Sequence, residues 1–184
     1  MNKEILYYKI RKSKNPIRGT ERSCGIDFFI PSYDNEFIND LVNKNDNTDE
    51  KNYIIDYDLL KDKFYIIIKK GGNILIPLGY KIILPENTTF IAFNKSSIAF
   101  KKGLVLGAAV VDEDYRGEIH GNFLNPTSRD IKIYFDEKII QFVLIPVIYA
   151  NIRNIDLKEF KIYENTERGE GGFGSTDNKE KNNV

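Results

Sequence analysis

Ala109-Val110-Val111-Asp112-Glu113-Asp114-Tyr115-Arg116-Gly117-Glu118 sets acids, a tyrosine and an arginine beside a turn, and its flanks decide what kind of turn it is. Before it runs Leu104-Val105-Leu106-Gly107-Ala108, apolar and small. After it comes Ile119-His120-Gly121-Asn122-Phe123-Leu124, in which apolar and polar residues alternate. Alternation at period two belongs to a strand with one buried face, and Asp and Gly supply the turn, so the segment reads as a β-hairpin with an acidic tip. Working outward, runs rich in Ile, Val, Phe and Tyr recur between turn residues at 5–10, 24–30, 64–69, 80–84, 89–94 and 131–135. Residues 138–146 read as a largely buried strand ended by Pro146. Sustained helical periodicity is missing apart from short candidates at 36–43 and 96–102. Many short strands at close spacing predict an all-β fold with very little helix, a barrel or a jelly-roll-like sandwich.

The 184 residues, 41% of them hydrophobic, suffice for one substantial core. Lys and Arg number 27, as do Asp and Glu, so no net field draws in a polyanion, and a nucleic-acid partner is not expected. Cys24 is the only cysteine, which rules out an intrachain disulfide and suits a reducing compartment. No apolar run has the length of a signal peptide or a membrane span, so the expectation is a soluble cytoplasmic protein with no membrane partner. His120 is the only histidine, which excludes a multi-histidine metal site, and mid-strand it is expected to be structural or solvated.

Three stretches depart from this background. Residues 33–62 are rich in Asn, Asp and Lys, and 43–50 hold almost nothing to bury; a mobile loop on a surface insertion is expected, with a partner-binding loop as the alternative. In Asn94-Lys95-Ser96-Ser97-Ile98-Ala99 two hydroxyls and a lysine sit where a short helix could begin, which suits an anion; a Ser-capped helix start is the plainer account. In Arg168-Gly169-Glu170-Gly171-Gly172-Phe173-Gly174-Ser175-Thr176, glycines let a backbone approach phosphate oxygens and Arg168 adds charged donors. The lone Phe173 suits stacking on a base, which a solvated linker would not need.

In this order the islands resemble the homotrimeric dUTPase family, whose pattern comprises five short motifs. Cys24-Gly25-Ile26-Asp27-Phe28 is similar to the first motif and Lys95-Ser96-Ser97-Ile98-Ala99 to the second, where the family usually has Arg-Ser-Ser. The segment from Ala109 to Gly117 is similar to the third, Lys138-Ile139-Ile140-Gln141 to the fourth, usually Arg-Ile-Ala-Gln, and Arg168 through Thr176 to the fifth. The resemblance implies a distorted jelly-roll β-barrel of the dUTPase-like β-clip type over residues 1–165, interrupted by the polar insertion at about 33–62. A flexible glycine-rich lid and tail would occupy 166–184. It further implies a homotrimer with shared active sites that hydrolyses dUTP to dUMP and pyrophosphate by water attack on the α-phosphorus. Mg²⁺ would be bound mainly by the triphosphate. Such an activity keeps uracil out of DNA and supplies dUMP for dTTP synthesis.

By position, the resemblance implies that Asp112 orients and activates the water, and that Tyr115 lies under the deoxyribose and leaves no room for a 2′-hydroxyl. The backbone around Ala109 and Val111 would read the uracil edge; Lys95, Ser96, Ser97 and Gln141 would hold phosphates and water, and Arg168 the terminal phosphate. Phe173 would stack over uracil, with Gly174 and Ser175, as the lid closes, and Asp27 would meet Mg²⁺ only through water. Lys95 and Lys138 replace the usual arginines, keeping charge but not bidentate geometry. Ala109 replaces a glycine, which costs stability if the position needs positive φ. Two alternatives stand beside this reading. One is a dCTP deaminase-like enzyme on the same fold; the other is a regulatory protein that uses 33–62 to hold a partner. The implied compartment is the cytoplasm, or the nucleus if the source is eukaryotic or viral.

Overall fold

The computed structural model describes residues 4–46 and 52–171. The chain divides into two units, Met1–Ile148 and Tyr149–Val184.

The first unit holds three antiparallel sheets, with strands labelled in chain order. One joins, as β1-β6-β10-β8, Leu6–Lys9 (β1), Asn73–Ile83 (β6), Glu118–Leu124 (β10) and Val105–Leu106 (β8). A second joins, as β11-β5-β4, Ile131–Tyr134 (β11), Lys63–Ile68 (β5) and Tyr53–Asp58 (β4). The third, in the order β2-β3-β12-β7-β9, joins Ile17–Arg18 (β2), Gly25–Phe29 (β3), Lys138–Pro146 (β12), Thr88–Asn94 (β7) and Val110–Val111 (β9). This is the β-rich, jelly-roll-like architecture expected from the spacing of the strands. Side chains two apart face the core: Ile74, Ile76, Leu78, Tyr80 and Ile82 of β6 are buried, as are Ile119 and Phe123 of β10. The first and third sheets meet through aromatic rings. Phe28 sits edge-on to Tyr80 and to Phe142, each at 5.1 Å, and Phe90 stacks on Phe142 at 5.5 Å. Such pairs add about 0.5–1.5 kcal/mol each beyond the area they bury.

Two expectations change. The hairpin read around Asp112 does not form as a simple pair of strands. β8 pairs with β10 in the first sheet, whereas β9 pairs with β7 in the third, so the chain changes sheets between them. The switch is at Gly107, whose N–H donates to the Asn122 carbonyl at 3.0 Å and where a Cβ would overlap the Asn122 side chain. A side chain at residue 107 would have to displace that of Asn122, which lines the cavity beside the acidic tip. Alternation in the sequence reports that a strand has a buried face, not which neighbour it pairs with.

The first part of the polar insertion contributes to the core. Asn35–Asn45 form a helix (α1), capped by Asp34, whose carboxylate accepts from the Phe37 N–H at 2.7 Å, with Glu36 in its first turn and Lys44 in its last. Phe37 and Leu41, four apart, are both fully buried, and Tyr53 of β4 joins the same core. The helix expected at 36–43 is therefore present, while the loop expected from residue 43 begins after Asn45; residues 47–50 lie outside the described residues. Composition averaged over an Asn-rich run hides one buried i, i+4 pair. The other helix candidate, 96–102, is a π-helical turn over Ile98–Lys102 that Gly103 ends at φ 74°.

In the second unit Leu157–Tyr163 (α2) is capped by Asp156, which accepts from the Glu159 N–H at 2.8 Å, and no residue of α2 is buried. Residues 149–165, expected as part of the barrel, fall with this second unit. Among the described residues no helix is long and apolar enough to cross a membrane.

Candidate functional site

A cavity of about 180 Å³ opens beside the acidic tip, between residues 108–112 and Tyr115 on one side and Glu118, His120, Asn122 and Leu75 on another. Its floor follows from the switch at Gly107, which brings β9 to the outer edge of the third sheet. The Ala109 carbonyl accepts from the Ala92 N–H at 2.7 Å, and Val111 pairs with Phe90 in the β7–β9 ladder. In an antiparallel ladder the residue between two such pairs points its peptide groups the other way. Val110 therefore turns its N–H and C=O to the open edge. Sequence reasoning named Ala109 and Val111 and missed Val110; the signal would have been the pairing partner, which no residue pattern reveals. Among the described residues the non-glycine positions with positive φ are Asp62, Asn87 and Asp136, so Ala109 stands without the backbone strain considered above.

The tip is tied down by its own groups. The Tyr115 N–H donates to the Asp112 carbonyl at 3.2 Å, Arg116 Nη1 donates to the Glu113 carbonyl at 2.7 Å, and Glu113 Oε2 accepts from the Asn87 N–H at 2.7 Å. The Tyr115 hydroxyl donates to the Glu118 carbonyl at 2.8 Å, and Gly117 lacks the Cβ that would overlap that hydroxyl. The phenol ring is thus held as a wall. The Asp112 carboxylate is exposed and, among the described residues, makes no hydrogen bond. His120 lies on the same face of β10 as Glu118 and Asn122; its Nε2 is buried with no partner among the described residues. Burial pushes its pKa down, against the upward pull of the nearby Glu118 carboxylate, so the imidazole is neutral near pH 7.

A second cluster gathers most of the remaining named residues. Asp27 is buried between two ammonium groups: Lys95 Nζ lies 2.6 Å from Oδ1 and Lys138 Nζ 3.1 Å from Oδ2. Gln141 pairs with Asp27 across the β3–β12 ladder, and its Nε2 donates to the Asn94 carbonyl at 2.9 Å. Ser96 and Ser97 follow Lys95 at the surface, and Ser97 stands at the start of the π-helical turn without capping it. The Ser-cap account thus lacks its hydrogen bond at Ser97.

The two clusters sit at opposite ends of β7. Val111, beside Asp112, pairs with Phe90, whereas Lys95 follows Asn94 at the other end. Five residues of strand separate them by about 17 Å. Arg168 belongs to the second unit, exposed, with its Nε donating to the Gly171 carbonyl at 3.0 Å. Phe173, Gly174 and Ser175 lie outside the described residues. Among the described residues no three His, Cys, Asp or Glu side chains group as metal ligands.

A family model described as dUTPase matches residues 44–177, more than half of the chain. The chain belongs to the dUTPase family. The deoxyuridine 5′-triphosphate nucleotidohydrolase of Candida albicans is 41% identical over 109 residues, 59% of this chain and 67% of that one. Among solved structures, a point mutant of the dUTPase of Staphylococcus bacteriophage 80alpha, with dUpNHpp, is similar at a TM-score of 0.70 and 16% identity, covering 95% of this chain and 99% of that one. A point mutant of the dUTPase of phage phi11 of S. aureus, described as coordinating a structural Mg(II) ion, is similar at a TM-score of 0.61 and 13% identity, covering 85% and 99%. At these identities the two structures speak for the dUTPase fold. The family match begins at residue 44, after Asp27 and after most of α1, so the place of Asp27 rests on the ladder that sets it against Gln141.

Proposed function

We propose that the chain is a dUTP diphosphatase, hydrolysing dUTP to dUMP and pyrophosphate. One observation carries the reading. A single small cavity presents the open peptide edge of Val110, the anchored phenol of Tyr115 and the unpaired carboxylate of Asp112. A peptide N–H and C=O side by side complement the acceptor and donor of uracil's edge, and cytosine presents the reverse pattern. The ring of Tyr115 under a deoxyribose leaves no room for a 2′-hydroxyl, so ribose is rejected sterically. Asp112 orients a water toward the α-phosphorus. An ordinary carboxylate is a weak base for water, so its contribution is placement and negative charge more than proton removal.

We further infer that the active site is shared between subunits of a homotrimer. Asp112 and the group formed by Lys95, Ser96 and Ser97 are about 17 Å apart along β7, and Gln141, opposite Phe93, stands on the far side of β7 from Asp112, so the two groups do not converge within one chain. An exposed apolar groove lined by Leu6, Tyr7, Tyr8 and Ile83 supports association. From a neighbouring copy, Gln141 would position the water, and Ser96 and Ser97 with Lys95 would bind phosphate oxygens. Arg168 would neutralise the terminal phosphate, and Phe173, Gly174 and Ser175 would close over uracil.

Dependence on a metal goes with the family, and the ion we propose is Mg²⁺. Both Asp27 oxygens face lysine ammoniums, so Asp27 does not suit direct ligation. When bound, Mg²⁺ supplies neutralising charge on the triphosphate, which itself provides the ligands, with Asp27 within reach only through water. The exposed, unpaired Cys24 supports work in a reducing compartment, cytoplasmic or nuclear.

The test is pyrophosphate release from dUTP, dCTP, dTTP and UTP by the parent and by Asp112→Asn. Release from dUTP alone, reduced about 10²–10⁴-fold in the variant, is expected. No release from any of the four would overturn the hydrolase reading.

A further inference from the structure

Two links run from α1 to the wall of the cavity. In the first, Asp40 of α1 holds the Arg11 guanidinium, which in turn grips Glu118 in a two-pronged contact, Nε to Oε1 at 2.9 Å and Nη2 to Oε2 at 2.7 Å. The Arg11 and Glu118 side chains are only 8% and 9% exposed, so water does not compete for this pair. Glu118 also accepts from the Gly79 N–H at 2.7 Å, and its carbonyl carries the Tyr115 hydroxyl. The chain Asp40–Arg11–Glu118 therefore ends on the ring under the proposed deoxyribose.

In the second link Asn45, the last residue of α1, pairs with the backbone of Leu75 as a strand would. Its Nδ2 donates to the Leu75 carbonyl at 2.9 Å, and its Oδ1 accepts from the Leu75 N–H at 2.9 Å. Leu75 and Glu118 both line the cavity. The buried Phe37 and Leu41 fix the helix that carries both links, so Asp40 and Asn45 have one defined placement. Most of α1 precedes the part of the chain matched by the family model.

We propose that α1 sets the nucleoside end of the site, with Asp40 acting through Arg11 and Glu118, and Asn45 through the Leu75 backbone, as positioning residues for the deoxyribonucleoside. This rests on the reading of the cavity as the nucleoside pocket. Neither residue touches the reacting phosphate, so their loss weakens binding of the nucleoside and spares the chemical step. A cavity wall displaced by a fraction of an ångström relaxes the fit to sugar and base, while the water held by Asp112 keeps its place.

The experiment compares the full-length parent with Asp40→Asn, Asn45→Ser and, as a control for stability alone, Ile66→Val in the buried face of β5. It reads kcat and KM for dUTP, affinity for dUpNHpp and melting temperature. For each α1 variant, KM is expected to rise about three- to tenfold, with a matching loss of dUpNHpp affinity and kcat within about twofold of the parent. The control is expected to melt lower with KM unchanged. An unchanged KM in both α1 variants, or a rise no greater than the control shows for the same loss of melting temperature, overturns the proposal. Should one variant fail to fold, the other decides. A parent that does not hydrolyse dUTP would instead sink the nucleotide reading itself, a result these variants cannot imitate.

Discussion

Gly25 lies so close to Gln141 that a Cβ at residue 25 would overlap the glutamine's Oε1. The first motif's glycine thus makes room for the fourth motif's amide, which is steadied by the Asn94 carbonyl at 2.9 Å. Gly25 is a buried strand residue whose φ is not positive, so alanine fits the backbone and meets the glutamine first. Gly25→Ala is expected to displace the amide and lower kcat about 10–100-fold, since a misplacement of an ångström costs that much. Steady-state kinetics beside circular dichroism will check it. Retained activity in a folded variant would show that Gln141 does not need this place.

If Asp112 and Gln141 serve a common site from different chains, two dead variants should rescue each other. Asp112→Asn and Gln141→Ala, each inactive alone, are expected to regain part of the parent activity after they are mixed, unfolded together and refolded. Separately refolded and then mixed, they should stay inactive. No recovery in the co-refolded protein would place the whole site within one chain.

The helix α1 is core, and its loss should be felt as such. Phe37 is fully buried and packs edge-on to Phe135 at 5.6 Å. Phe37→Ala is expected to cost about 3–5 kcal/mol in a denaturant titration. Removing residues 38–56, which composition alone would mark as dispensable, takes away Leu41 and Tyr53 and should leave the barrel unable to fold. A deletion variant with the parent's melting temperature would contradict this.

His120 gives stability a pH dependence of known sign. Burial lowers its folded-state pKa below the ordinary value of 6.5, with Glu118 and Asp40 pulling up and Lys44 pulling down. As pH falls through about 6.5, the unfolded chain takes up a proton that the folded chain refuses. Its contribution to stability is therefore whole above that pH and declines below it, until the lowered folded pKa is passed. The parent should lose more melting temperature between pH 7.5 and 5.5 than His120→Gln does, and equal losses would show that the imidazole is not desolvated.

Much of this was legible in the residues. Period-two burial of Ile, Phe and Tyr determined that the chain is β, because a strand with one buried face permits no other pattern. The order of Asp27, Ser96, Asp112, Gln141 and Arg168 carried the resemblance to the dUTPase family, which the match over residues 44–177 shows. Tertiary structure alone decided the rest. Sheet membership of β9 depends on its pairing with β7, which composition does not reveal, and it is this pairing that exposes Val110. The burial of α1 turns on Phe37 meeting Phe135 and on the helix packing against β6, both distant in sequence. The two lysines that replace arginines find one shared carboxylate, Asp27, only because β3, β7 and β12 lie side by side. Local patterns follow from local sterics and solvation, whereas pairing and charge neutralisation depend on which distant segments fold against each other.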